Sequence, residues 1–125
     1  MSFVTRRLSE APDVTAPDGS EVRILAALAG GSMAHFTLQP GAMSIAVAHR
    51  TVGELWFIVS GRGRMWRKTD TQEEVTDLQA GISLSIPRGT AFQFRCDGDE
   101  PLCAVGVTMP PWPGMNEAYE VQGKW

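Results

Sequence analysis

The chain has 125 residues, 43% hydrophobic and 20% charged, with a net charge of −3. That length makes one domain able to bury a core of its own, so no disulfide or structural metal is needed to hold it folded. The acidic balance argues against nucleic acid or an anionic membrane as the main partner.

Glycine (13) and proline (8) punctuate the sequence too often for long helices and suit short strands joined by turns. Residues 1–20 read as an extended polar arm with an edge strand around Phe3-Val4. The arm ends in the turn signal Pro17-Asp18-Gly19-Ser20, where Pro presets φ and Gly permits positive φ. Met1 to Glu10 holds no apolar core of signal-peptide length, and no run approaches the roughly 20 apolar residues of a membrane span. The expectation is a soluble, cytoplasmic protein.

Glu21 to Ala29 mixes helix-favouring alanines with Val22 and Ile24, and Gly30-Gly31 stops it early, so it reads as a strand. Met33 to Leu38 is a second strand. Met43 to His49 is a third, with Met43, Ile45, Val47 and His49 on one face. Thr51-Val52-Gly53 turns the chain into Leu55 to Ser60, with Trp56 and Ile58 on one face and Leu55, Phe57 and Val59 on the other. A strand apolar on both faces needs cover on both, from the tail or from a second subunit, so a homodimer is expected.

Gly61-Arg62-Gly63 reads as a hairpin tip leading back through Arg64 to Lys68, whose cations cover a solvated turn. Val75 to Leu78 is a short strand. Ile82, Leu84 and Ile86 alternate with serines, and Phe92, Phe94 and Cys96 alternate with polar residues before Leu102 to Met109. Pro110, Pro111 and Pro113 exclude regular sheet from the tail, so Trp112 and Trp125 are expected to lie across the barrel wall or a neighbour. Cys96 and Cys103 lack metal spacing and read as free thiols, with a cross-strand disulfide as the alternative. Eight to eleven short strands without a clear helix make an all-β sandwich or barrel.

Two stretches carry a family resemblance. In the first, Gly41 is followed by Val47, His49, Glu54 and Gly61; in the second, Gly81 is followed by Pro87, Gly89, Phe92 and Cys96. The spacing resembles the two motifs of the cupin family, G-x5-H-x-H-x3,4-E-x6-G and G-x5-P-x-G-x2-H-x3-N. The resemblance implies a single-domain double-stranded β-helix, or jelly-roll barrel, over residues 21–109, with the arm before it and a tail over 110–125. It also implies that the family's four metal-binding positions fall on Val47, His49, Glu54 and Phe92. Two of these are apolar here, so the expectation is a barrel without a bound cofactor.

The residues leave three functions open. The leading one is a small-molecule-binding barrel, with Met43, Ile45, Val47, Trp56, Phe92 and Phe94 lining an apolar cup for a hydrophobic or aromatic molecule and His49 and Glu54 as polar contacts. A second is a metal-dependent isomerase, lyase or dioxygenase in which His49 and Glu54 are joined by a further ligand such as His35. A third is a metal-free enzyme in which His49 and Glu54 move a proton as an acid–base pair.

Overall fold

The computed structural model describes residues 3–125. Eleven strands run in chain order: β1 Val14–Thr15, β2 Glu21–Leu28, β3 Gly31–Leu38, β4 Val47–His49, β5 Gly53–Ser60, β6 Gly63–Lys68, β7 Glu73–Leu78, β8 Ser83–Ile86, β9 Ala91–Cys96, β10 Leu102–Met109 and β11 Ala118–Glu120. A single 3-10 turn, Met115–Glu117, precedes β11. One sheet has the order β1-β2-β3-β10-β5-β8 and the other β11-β4-β9-β6-β7. Every strand pairing is antiparallel. The all-β expectation holds, and the strands of residues 21–109 form the body of the barrel.

Period-two alternation sets the faces. On β5, Trp56 and Ile58 point between the sheets and meet Met65, Phe92, Phe94 and Leu102 from the other strands. Burying each such side chain contributes about 1.5–3 kcal/mol. The opposite face of β5 stays open: Leu55, Phe57 and Val59 are 51%, 50% and 45% exposed.

Several local expectations are corrected. No strand forms at Phe3-Val4; the edge strand is β1, which pairs with Glu21 and Val22 of β2. The segment Met43–His49 is sheet only from Val47 onward. Before that point its backbone is divided among different neighbours. Met43 makes a lone bridge to Arg95, the Ser44 amide donates to the Phe94 carbonyl, and the Ile45 amide donates to the Asp18 carbonyl. Alternation then slips, because Ser44 and Ala46 are buried and so are Val47 and His49.

Gly61-Arg62-Gly63 is not a hairpin. It carries the chain from β5 in one sheet to β6 in the other. Both glycines are needed there: Gly61 has φ +87°, and a Cβ on either would collide with backbone of Pro101 or Arg95. Likewise β4 and β5 are not neighbours, and the turn after His49 also crosses between sheets. Cys96 and Cys103 are free, as the leading expectation had it. Arg64 pairs with Asp97 and Arg67 with Glu74 on the surface. No helix among the described residues is long and apolar enough to cross a membrane.

The tail adds an edge to the second sheet through β11, paired with β4, rather than covering the outer face of β5. Glu117 fastens it. Its carboxylate accepts the amides of Thr51 at 2.6 Å and Val52 at 3.1 Å, together with the Thr51 hydroxyl. Farther on, Gln93 accepts the amides of Lys124 and Trp125, and the Trp125 ring lies near the Arg64 and Arg95 guanidinium groups at 5.5 and 5.4 Å.

Candidate functional site

A cavity of about 240 Å³ lies at one end of the barrel. The barrel strands supply Phe36, Val47, His49, Glu54, Trp56 and Phe92 to its wall. The arm closes one side with Val14, Ala16, Pro17 and Asp18, and the tail closes another with Trp112 and Met115. The two segments that the sequence leaves outside the barrel are therefore its cover.

His49 and Glu54 reach the cavity from different sheets. Imidazole Nδ1 stands 3.8 Å from carboxyl Oε1, close enough to interact but too far for a hydrogen bond. The His49 ring is held edge-on between Phe92 and Trp112, each 5.2 Å away between centroids. Burial lowers the His49 pKa, and the nearby Glu117 carboxylate only partly offsets this, so the imidazole is neutral near pH 7.

Glu54 is pushed up to about 8 by burial; the Trp56 indole pulls it part of the way back, and the Asp18 carboxyl adds a smaller push upward. That indole nitrogen leans to the Glu54 side without meeting an acceptor at hydrogen-bonding geometry, and His49 Nδ1 is likewise buried without a partner. Room for the carboxyl comes from Gly106 on β10. A Cβ there would stand 2.8 Å from Glu54 Oε2 and 2.7 Å from the Phe36 ring.

Among the expected lining residues, Val47, Trp56 and Phe92 line the cavity. Met43 and Ile45 do not: the slip before β4 turns them outward, and both are about half exposed. Phe94 is in the core, edge-on to Trp56 at 5.0 Å, but behind the cavity wall. His35 does not reach the cavity either. It alternates with Phe36, which points inward, and so lies on the outer face beside Val105.

The sequence reading missed Asp18, Thr108, Ser32 and Trp112 as site residues. Asp18 is buried, with Oδ1 accepting the Ser20 amide at 2.9 Å and the Ser20 hydroxyl at 2.6 Å. Burial nevertheless raises its pKa. The turn signal at 17–20 reveals the Asp–Ser hydrogen bonds but not the folding of the turn over the barrel mouth. The hydroxyls of Ser32 and Thr108 pair at 2.7 Å, and Ser32 Oγ accepts the Trp112 amide, which seats that ring beside His49.

The residues at the four metal-binding positions implied by the resemblance do not make a metal cage. They supply one neutral imidazole and one carboxyl that burial holds protonated, with Val47 and the Phe92 ring at the other two. No group of three or more His, Cys, Asp or Glu side chains is placed to hold a metal ion among the described residues.

Comparison with known proteins supports the fold. The Bacillus subtilis oxalate decarboxylase superposes with a TM-score of 0.73 at 22% identity, over 90% of this chain and 30% of that one. An uncharacterised conserved protein with a double-stranded beta-helix domain from Klebsiella pneumoniae gives 0.67 at 17% identity, over 95% of this chain and 91% of that one. The capsular polysaccharide assembling protein CapF from Staphylococcus aureus gives 0.67 at 16%, over 83% and 32%. This chain thus spans less than a third of the length of the decarboxylase, and likeness at these identities concerns fold alone. No curated protein matches the sequence. The cupin domain family model matches residues 34–108, which hold both motifs and nine of the twenty residues that line the cavity. The chain belongs to the cupin domain family.

Proposed function

We propose that this chain is a small-molecule-binding cupin whose cavity takes a hydrophobic or aromatic ligand without a metal. The cavity itself carries the reading. Its wall is aromatic and aliphatic, its two covers come from the arm and the tail, and its few polar atoms include buried ones without protein partners, His49 Nδ1 and Trp56 Nε1. A buried polar group costs free energy until something hydrogen-bonds to it, and a ligand can do so. The volume sets the scale: a cavity of about 150 Å³ accepts benzene, so 240 Å³ suits one ring with a small substituent. The Mn(II) centres of oxalate decarboxylase belong to that protein; the replacements at Val47 and Phe92 argue against carrying them over.

Thermal unfolding in the presence of phenol, indole and benzyl alcohol tests this. A ligand at a hundredfold its Kd adds about 2.7 kcal/mol of stability, so at least one should raise the midpoint by several degrees. No shift with any of the three at millimolar concentration contradicts it.

A second reading has its own support. His49 and Glu54 form an adjacent neutral base and neutral acid, an arrangement suited to moving a proton at a bound carbonyl or alkene. In this reading the same cavity holds the substrate, and both His49→Gln and Glu54→Gln bind it without turning it over.

We further propose that a second copy of the chain covers the outer face of β5. The row Leu55, Phe57 and Val59 continues onto Val105 and Val107 of β10. Such an uncharged, apolar row is self-complementary about a two-fold axis.

A further inference from the structure

The cavity is acidic without a cation to match. Two carboxyls belong to its wall, Asp18 and Glu54, 7% and 4% exposed. No Lys or Arg is among its lining residues. Several other carboxylates of the barrel are answered by the protein itself. Asp97 meets Arg64 and Arg95, Glu74 meets Arg67, and Glu117 is filled by two amides and a hydroxyl. The Trp56 indole leans toward Glu54 without closing a hydrogen bond of good geometry, and the basic group beside the carboxyl is the His49 ring at 3.8 Å. Asp18 uses one oxygen for Ser20, and its other oxygen accepts no hydrogen bond.

Around these acids stand four aromatic side chains, Phe36, Trp56, Phe92 and Trp112. Aromatic faces attract cations, most strongly where water is excluded, and indoles do so best. Carboxyls with no cationic partner, set among aromatic rings in a largely apolar pocket, form a receptor for positive charge that carries no hydration shell of its own; an arriving cation displaces the proton that burial otherwise keeps on Glu54. A metal ion does not suit it, because the donors are too few and the walls offer no further oxygen or nitrogen. An ammonium group dressed in methyl or aryl groups does, since its charge is spread over apolar surface.

We infer that the ligand of this cavity is a small organic cation, an alkyl- or aryl-substituted ammonium whose charge sits between Glu54 and Asp18 and whose apolar groups rest on the aromatic wall. The inference rests on the small-molecule reading above and names the charge of the ligand. Asp18 is then a specificity-determining residue contributed by the arm, so the arm selects the ligand as well as covering it.

Phenyltrimethylammonium and its neutral isostere tert-butylbenzene share shape and heavy-atom count and differ in charge. Isothermal titration of both into the full chain tests the inference. The cation should bind at least tenfold more tightly, and Asp18→Asn and Glu54→Gln should each cut that preference severalfold while leaving tert-butylbenzene binding within twofold. Both variants are near-isosteric, and retained far-ultraviolet circular dichroism checks that they fold. If tert-butylbenzene binds as well as the cation, or better, the charge assignment falls and the cavity reading stands. If the cation is preferred but neither variant alters the preference, the assignment to Asp18 and Glu54 falls. If neither compound binds, this inference falls, and the uncharged aromatics proposed above decide whether the cavity reading falls with it.

Discussion

Replacing Glu54 by Gln should alter how stability depends on pH, by an amount the structure sets. The Glu54 carboxyl titrates at about 8 in the folded protein against 4.5 for an ordinary glutamate. Below pH 4.5 both folded and unfolded states hold the proton, and the contribution is fully present. Between the two values the folded state holds a proton that the unfolded chain has released, so stability falls as pH rises, by about 1.4 kcal/mol per pH unit. Above pH 8 both states are ionised and the contribution is gone. Urea unfolding at pH 5 and pH 8.5 spans most of this window, and the wild type should lose about 4 kcal/mol between them from this residue. Glu54→Gln is neutral throughout and lacks that loss. Asp18, raised by burial, adds a slope of the same sign to both proteins, and His49, lowered by burial, adds one of opposite sign below about pH 6.5. The quantity to measure is therefore the gap between variant and wild type, which should widen by about 4 kcal/mol toward alkaline pH. A gap of equal size at pH 5 and pH 8.5 would refute the claim that Glu54 is buried, uncompensated and protonated.

Three other substitutions test separate parts of the account. Glu117→Ala leaves the amides of Thr51 and Val52 unanswered; it should cost on the order of 3 kcal/mol in denaturant unfolding and raise hydrogen exchange across β11. Gly106→Ala places a methyl against Phe36 and Glu54; it should destabilise by about 1–3 kcal/mol and weaken ligand binding at least tenfold in calorimetry. Analytical ultracentrifugation should find a dimer for the wild type and a monomer for Phe57→Asp, whereas a monomeric wild type would remove the proposed two-fold contact.

What the sequence made legible was local and periodic. The alternation of Ile82, Leu84 and Ile86 and of Phe92, Phe94 and Cys96 placed inward faces correctly, because period two is a property of one strand. Connections were misread for the complementary reason. Gly61-Arg62-Gly63 has hairpin composition, but the requirement for glycine there comes from Pro101 and Arg95, which are remote in sequence. At the site, the motif spacing led to His49, Glu54, Val47 and Phe92. Asp18 stayed hidden because nothing in a polar arm indicates that it folds back over a barrel mouth; Trp112 was expected against the barrel wall or a neighbour, but its place beside His49 depends on the Ser32 hydroxyl, which is remote in sequence. Met43 and Ile45 were wrongly included because strand alternation was carried through Ala46-Val47, where the backbone changes partners.

Native mass spectrometry of protein purified without chelators tests the central claim most directly, because it weighs whatever the cavity holds. The account predicts the bare chain or the chain with an organic molecule, and a one-to-one adduct on adding phenyltrimethylammonium. One divalent metal ion per chain, lost in His49→Ala, would contradict it.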